Sequence, residues 1–278
     1  MPKKNYISRQ LGLELGLILC RYLFKTEDLH FGYWPDDLPV EILNLPVAQE
    51  NHSELIIKRL PIQNGRLLDV GCGAGSLACR LLNKGLSIDG VVPSAFLANK
   101  AREALNACGE IFESYFEDLE TQNQYDLILF SESFQYINIE KGLDKVDSLL
   151  CEGGHLLICD FFDKESPHVK SVKGGHKWSI FNEAIAAGPW NKIEDIDITK
   201  ETARTLDLVK DVMSEVALPA FNLIGETFWD RHPLLTRIAN VIFKKRIEKV
   251  RTRYLNERMS AASFEAAKCY RLMIFQKT

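Results

Sequence analysis

Eleven consecutive residues, Leu67-Leu68-Asp69-Val70-Gly71-Cys72-Gly73-Ala74-Gly75-Ser76-Leu77, restrict this chain more than any other stretch. Leu67, Leu68 and Val70 have the apolar character of a strand inside a sheet. Gly71, Gly73 and Gly75 let the backbone turn sharply and approach a ligand with no Cβ in the way. A helix starting near Ser76 then points free N–H groups and the positive end of its dipole at that ligand. The acidic residue of the stretch, Asp69, precedes the glycines. A carboxylate there suits a ligand with an ammonium group and is poorly placed for a pyrophosphate. The G-x-G-x-x-G spacing of dinucleotide sites also fails, because Ser76 stands where the third glycine belongs.

From residue 66 onward strand-like and helix-like patterns alternate, which predicts a parallel sheet covered on both faces. Strands are expected at 66–70, 87–92, 110–113, 125–131, 155–161, 192–198 and 270–276. Helices are expected at 75–84, from Pro93-Ser94 to 107, at 139–151 and at 179–187, and a loop at 163–178 carries Gly174-Gly175-His176. Ahead of the first strand, Leu11, Leu15, Ile18, Leu19 and Tyr22 have helical spacing within 8–25, residues 30–37 form an aromatic loop, and 46–60 form a second helix. Residues 200–267 read as mostly helical, punctuated by Pro219 and Pro233. The expected organisation is an N-terminal helical lid segment, 1–60, an α/β domain built from 61–199 and 268–278, and a helical insertion, 200–267, acting as a cap.

With 278 residues, 46% of them hydrophobic and 26% charged, the chain can bury one large core. The net charge of −4 gives no general pull toward nucleic acid or anionic membranes. The cysteines number seven and none forms C-x-x-C; the six histidines lack H-E-x-x-H or H-x-x-x-H spacing. Free thiols, a reducing compartment and no metal site are the expectation. Arg9, Glu14 and Arg21 interrupt the N-terminal apolar run, so neither a membrane span nor a cleaved leader is expected, and a cytoplasmic location follows. The segment from Arg237 to Arg258, with its basic residues from Lys244 to Arg253, reads as a solvated helix face, an anionic substrate or partner being the alternative.

The stretch D-V-G-C-G-A-G-S-L resembles the first motif of class I S-adenosylmethionine-dependent methyltransferases. Further landmarks follow in the same order: Tyr125-Asp126-Leu127-Ile128-Leu129, Glu152-Gly153-Gly154-His155-Leu156 and Asp195-Ile196-Asp197-Ile198-Thr199. The long helical stretch before the last strand is similar to the cyclopropane-fatty-acid synthase and sterol or tocopherol methyltransferase group. The resemblance implies a Rossmann-like, doubly wound seven-stranded sheet with an antiparallel last strand and a helical lid. It also implies S-adenosyl-L-methionine as cofactor and a small-molecule acceptor, whose hydrophobic character is hinted at by Leu206, Leu208, Val212, Phe221, Phe228 and Trp229.

Carried over by position, the resemblance assigns the methionine end of the cofactor to Asp69, Gly71, Cys72 and Gly73. Val92 and Pro93 fall where the ribose is held, and Val92 replaces the family's carboxylate there. Phe116 and Glu117 fall at the adenine, although Tyr115 occupies the usual acidic slot. Ser131 and Tyr33 complete the expected cofactor contacts, Tyr33 by closing over the methionine end. Glu132, after the fourth strand, is the carboxylate best placed to orient an acceptor or support a base. His30 and His176 are the other catalytic candidates. A turnover-free binding protein of the same fold is the alternative that Val92 and Tyr115 keep open, and a nicotinamide-dependent oxidoreductase fits the glycine spacing poorly.

Overall fold

The computed structural model describes residues 25–167, 169, 171–220 and 259–278, together with 17, 18, 21, 22 and 223. Helix α1 (Leu45–Lys58) precedes the alternating part of the chain. There, β1 (Arg66–Val70), α2 (Ser76–Leu82), β2 (Ser87–Val91), α3 (Ala95–Leu105) and β3 (Ile111–Phe112) come first. They are followed by β4 (Tyr125–Ser131), α4 (Ile139–Leu149), β5 (Leu150–Asp163), β6 (His176–Lys177), α5 (Trp178–Ala187) and β7 (Trp190–Asp197). The described chain ends with α6 (Thr199–Val212), α7 (Ala261–Ala267) and β8 (Lys268–Lys277). Most of the expected helix 8–25, the basic run and the apolar residues Phe221, Phe228 and Trp229 lie outside the described residues.

The strands form one sheet in the order β3-β2-β1-β4-β5-β8-β7, with short β6 paired to β5. β8 runs antiparallel to both neighbours, from His155↔Gln276 to Asp163↔Lys268 on one side and against β7 on the other. β1 pairs with β2 and β4 on its two sides, so the chain changes direction of growth between β1 and β4. Open α/β sheets bind ligands at that switch, beyond the carboxyl ends of the strands.

Pleat alternation explains why the strands are apolar throughout. Leu67, Leu127, Leu129 and Leu157 pack into the core on one face, and Leu68, Val70, Ile128, Phe130, Leu156 and Ile158 into the core on the other. On the second face Phe134 meets Phe130 and Phe181 edge-on, at 5.3 and 5.6 Å between ring centroids. Two elements depart from the expectation. β5 starts at Leu150 rather than 155, because Leu150 pairs with Tyr125 before a register shift and Gly153-Gly154 continue the strand instead of stopping it. β6 lies in the expected loop 163–178, where His176 and Lys177 pair with Phe162 and Asp163.

Candidate active site

At the end of β1 the backbone enters a turn with Gly71 at φ +81° and Gly73 at φ +57°. A Cβ on Gly71 would lie 2.4 Å from the Cβ of Ser133, so this turn closes only around glycine. Ser133 uses the closeness, donating its hydroxyl to the Val70 carbonyl. A Cβ on Gly73 would meet nothing within 4 Å. That position borders a cavity of about 310 Å³ beyond the carboxyl ends of β1, β2 and β4.

Asp69 lines this cavity at 2% exposure, and no described residue gives its carboxyl group a hydrogen bond or a counter-charge. Burial alone pushes its pKa up to about 7. Ser131 also lines the cavity, and its buried hydroxyl has no partner among the described residues. A buried polar group without a partner is costly, and a ligand that supplies the missing bond recovers that cost. The Asp69 carboxylate beside an open glycine turn fits the ammonium group of an amino acid. The donor set therefore suits the methionine end of S-adenosylmethionine.

Cys72, Val92, Pro93, Phe116 and Glu117 border the same cavity. Burial and the nearby Asp69 carboxyl raise the Cys72 thiol well above its ordinary range, so it stays neutral. Phe116 is held edge-on against Phe130, 5.3 Å between centroids. The Glu117 carboxylate accepts from the Asn138 backbone N–H at 3.0 Å. Asp89, in the middle of β2, does not line this wall but a separate cleft with Arg66 and Glu110. It is tied there to Arg66, to the Tyr125 hydroxyl at 3.0 Å and to the Glu110 N–H at 3.0 Å. It does not stand in for the carboxylate missing at Val92.

Glu132 follows β4 with φ +54°, a left-handed conformation that a residue with a Cβ rarely adopts. Such strain collects at functional sites. Its Oε1 accepts two hydrogen bonds, from the Phe31 N–H at 2.7 Å and the Tyr270 hydroxyl at 2.7 Å. Burial raises its pKa, and His30, Tyr270 and Phe31 oppose the rise. His30 also faces the cavity. Its Nδ1–H donates to the Phe31 carbonyl at 2.8 Å, which leaves Nε2 near Ser53 Oγ (3.3 Å) and Asp28 Oδ1 (3.7 Å). Burial alone would lower the His30 pKa, but the hydrogen bond and charge of Asp28 leave it raised.

Two sequence candidates stand elsewhere. His176 Nε2 lies 3.0 Å from the Phe134 carbonyl and the ring packs edge-on against Phe134, away from the cavity wall. Its place is fixed by β6, an element the glycine-rich loop did not announce. Tyr33 packs at the margin of a core cluster with its N–H on the Ala48 carbonyl at 2.8 Å, and it does not line the cavity. Sequence reasoning missed Glu27 and Asp28, which do line it. Asp28 is bonded to Arg80 of α2 at 2.9 Å. Burial would raise its pKa, yet His30, Ser76 and Arg80 together hold it down at about 2. Among the described residues no cluster of side chains could hold a metal ion.

A family profile described as a methyltransferase domain matches residues 68–156, which carry the glycine turn, β4 and the first half of β5. The chain carries a methyltransferase domain over these residues. An uncharacterised methyltransferase of Staphylococcus carnosus is 26% identical to it over 167 residues, 58% of this chain and 80% of the relative. Several other curated relatives are matched over less than two thirds of their own length. Among solved structures, a putative sarcosine dimethylglycine methyltransferase from Galdieria sulphuraria superposes with a TM-score of 0.71 at 15% identity, covering 95% of this chain and 98% of that chain. Geranyl diphosphate C-methyltransferase from Streptomyces coelicolor A3(2), solved with S-adenosyl-L-homocysteine, gives 0.64 at 13% identity, with coverage of 90% and 91%. These likenesses establish the chain's mixed α/β architecture, including the antiparallel last strand.

Proposed function

We propose that this methyltransferase methylates a small, fairly hydrophobic acceptor, with Glu132 as the group that takes up the acceptor's proton. The observation that carries the reading is the unpaired Asp69 carboxyl, buried beside the glycine turn in a cavity that Glu132 also lines. S-adenosylmethionine supplies, when bound, a methyl group already activated by its sulfonium. The chain's own task is to hold, align and deprotonate. Asp69 takes the ammonium, the backbone at Gly71 and Gly73 admits close approach, and Phe116 offers an apolar wall to the adenine. Glu132 keeps Oε1 engaged by Phe31 and Tyr270. Its Oε2, with no hydrogen bond from a described residue, is the oxygen available to a proton. His30, held by Asp28 and Phe31, sets the charge around Glu132. Alignment of acceptor and methyl contributes several further kcal/mol.

A small acceptor is favoured by structural neighbours whose names give sarcosine dimethylglycine and geranyl diphosphate as substrates. The net charge of −4 speaks against a nucleic-acid acceptor. We place the protein in the cytoplasm on its odd number of cysteines; no described helix is long and apolar enough to cross a membrane. The N-terminal segment and the insertion at 200–267 act in this reading as lid and cap.

Calorimetry with S-adenosylhomocysteine tests the reading. The parent is expected to bind, and Asp69→Ala to give no measurable heat. Equal binding by the variant would show that the ammonium is held elsewhere, and a parent that binds neither S-adenosylmethionine nor its product would favour a protein without turnover.

A further inference from the structure

We propose that Tyr270 and His52 are positioning residues for Glu132, a buried chain of donors that engages one carboxylate oxygen and leaves the other to act in the cavity. The inference deepens the proposed function, since it takes Glu132 as the proton acceptor.

Three distant parts of the chain meet here: His52 from the middle of α1, Tyr270 from β8, and Glu132 beyond the end of β4. The Tyr270 hydroxyl lies 2.7 Å from Glu132 Oε1 and 3.0 Å from His52 Nε2. Tyr270 has one hydroxyl proton, and a carboxylate is a stronger acceptor than an imidazole nitrogen. That proton therefore goes to Glu132, and the Tyr270 oxygen must accept from His52. This fixes His52 as the tautomer with hydrogen on Nε2. The other ring nitrogen, Nδ1, is then an unprotonated acceptor, and it has no partner among the described residues. Burial, followed by the charge of His30, lowers the His52 pKa well below the ordinary value and keeps the ring neutral.

Plain packing does not account for this arrangement. His52 and Tyr270 both have 0% exposure, where apolar side chains of similar size would fill the space without polar groups to satisfy. The two polar side chains converge instead on Glu132, a residue with a Cβ that is held in the left-handed conformation just beyond the end of β4. The Phe31 N–H binds the same Oε1, so both donors act on one oxygen. Oε2 receives neither, and the carboxylate is clamped in a single orientation.

Other charged and titratable groups also face Glu132. His30, with Asp28 behind it, lies on the N-terminal segment, and Cys159 and Asp160 lie on β5. Cys159 Sγ is 3.5 Å from His52 Nε2 and shares its proton weakly. None of these groups except Tyr270 and the Phe31 backbone places a hydrogen on Glu132.

The test needs no ligand. Protein labelled with ¹³C at the glutamate side-chain carboxyl is titrated by NMR, and loss of a signal in Glu132→Gln assigns Glu132. Removing one hydrogen bond to a carboxylate in Tyr270→Phe is expected to raise its titration midpoint by about one to two pH units. His52→Leu should raise it less, and His52→Gln, which restores a donor to Tyr270, should return it toward the parent. Imidazole ¹⁵N spectra of the parent should show His52 with its hydrogen on Nε2. A folded Tyr270→Phe with an unmoved midpoint, or a parent whose His52 carries its hydrogen on Nδ1, overturns the proposal. If Tyr270→Phe fails to fold, the His52 variants and the parent tautomer decide. Calorimetry of the parent with S-adenosylhomocysteine judges the cofactor reading separately.

Discussion

In the free protein, Asp69 is a liability. Its carboxyl is buried without a partner, and burial holds its pKa at about 7. Binding an ammonium requires the ionised form, so cofactor affinity should rise as pH is raised through about 7. Below that value each pH unit should weaken binding by up to about tenfold. Calorimetry with S-adenosylhomocysteine over this range should show the dependence in the parent and lose it in Asp69→Asn. Val92 offers the complementary experiment. A hydrogen bond to a charged group contributes about 1.5–3 kcal/mol, so Val92→Asp should tighten cofactor binding about tenfold or more. An unchanged Kd would mean that the ribose does not lie against the end of β2. Most residues at this scale were legible because they adjoin strand ends whose patterns are strong: Asp69, Gly71, Cys72, Gly73, Val92, Phe116, Ser131 and Glu132 all border the cavity. Asp28 was not legible. Its charge is held by His30 and Ser76 together with Arg80, 52 positions away, and no local pattern encodes that grouping.

One scale up, the segment that carries Asp28 and His30 is fastened to α6. Thr205 Oγ1 accepts from the Gly32 N–H at 3.0 Å and from Trp34 Nε1 at 2.9 Å, and both donors are buried. Thr205→Val keeps the shape and leaves two donors unpaired, at about 1–3 kcal/mol each. Denaturant melts should show that loss. The variant should also bind cofactor more weakly, because the wall containing His30 is no longer held. Full stability in Thr205→Val would mean that water replaces both bonds. Strands β1 and β4 match their expected limits because continuous apolar runs leave little choice of boundary. β6 escaped notice because two residues of ladder leave no periodicity, and its consequence was the displacement of His176 onto Phe134.

Across the whole molecule, buried carboxyls set the response to pH. Asp69 and Asp160 have folded pKa values of about 7 and about 8, raised first of all by burial. A raised carboxyl favours folding while it is protonated in both states, and that contribution fades as pH rises through the folded value. Asp28 has the opposite sign. Held at about 2, it supports the fold above the ordinary carboxylate range and loses that support as pH falls toward its own value. The melting temperature of the free protein should therefore decline from about pH 5 to about pH 8. Asp160→Asn should flatten the upper part of the decline. It should also lower stability at every pH, because an amide cannot accept from the Gln135 N–H, the Gln135 side chain and the Phe161 N–H at once. A profile that climbs across this interval would contradict the assignment.

The place of β8 between β5 and β7 has a consequence for how the protein is made. A nascent chain paused after residue 267 holds β7 with no neighbour to join, while β5 presents an unfilled edge. Tyr270, the hydroxyl that steadies Glu132, has not yet been translated. Sheet closure and completion of the reactive centre thus become a single event that waits for β8. Intermediates stalled before it should expose two sticky borders and call on chaperones.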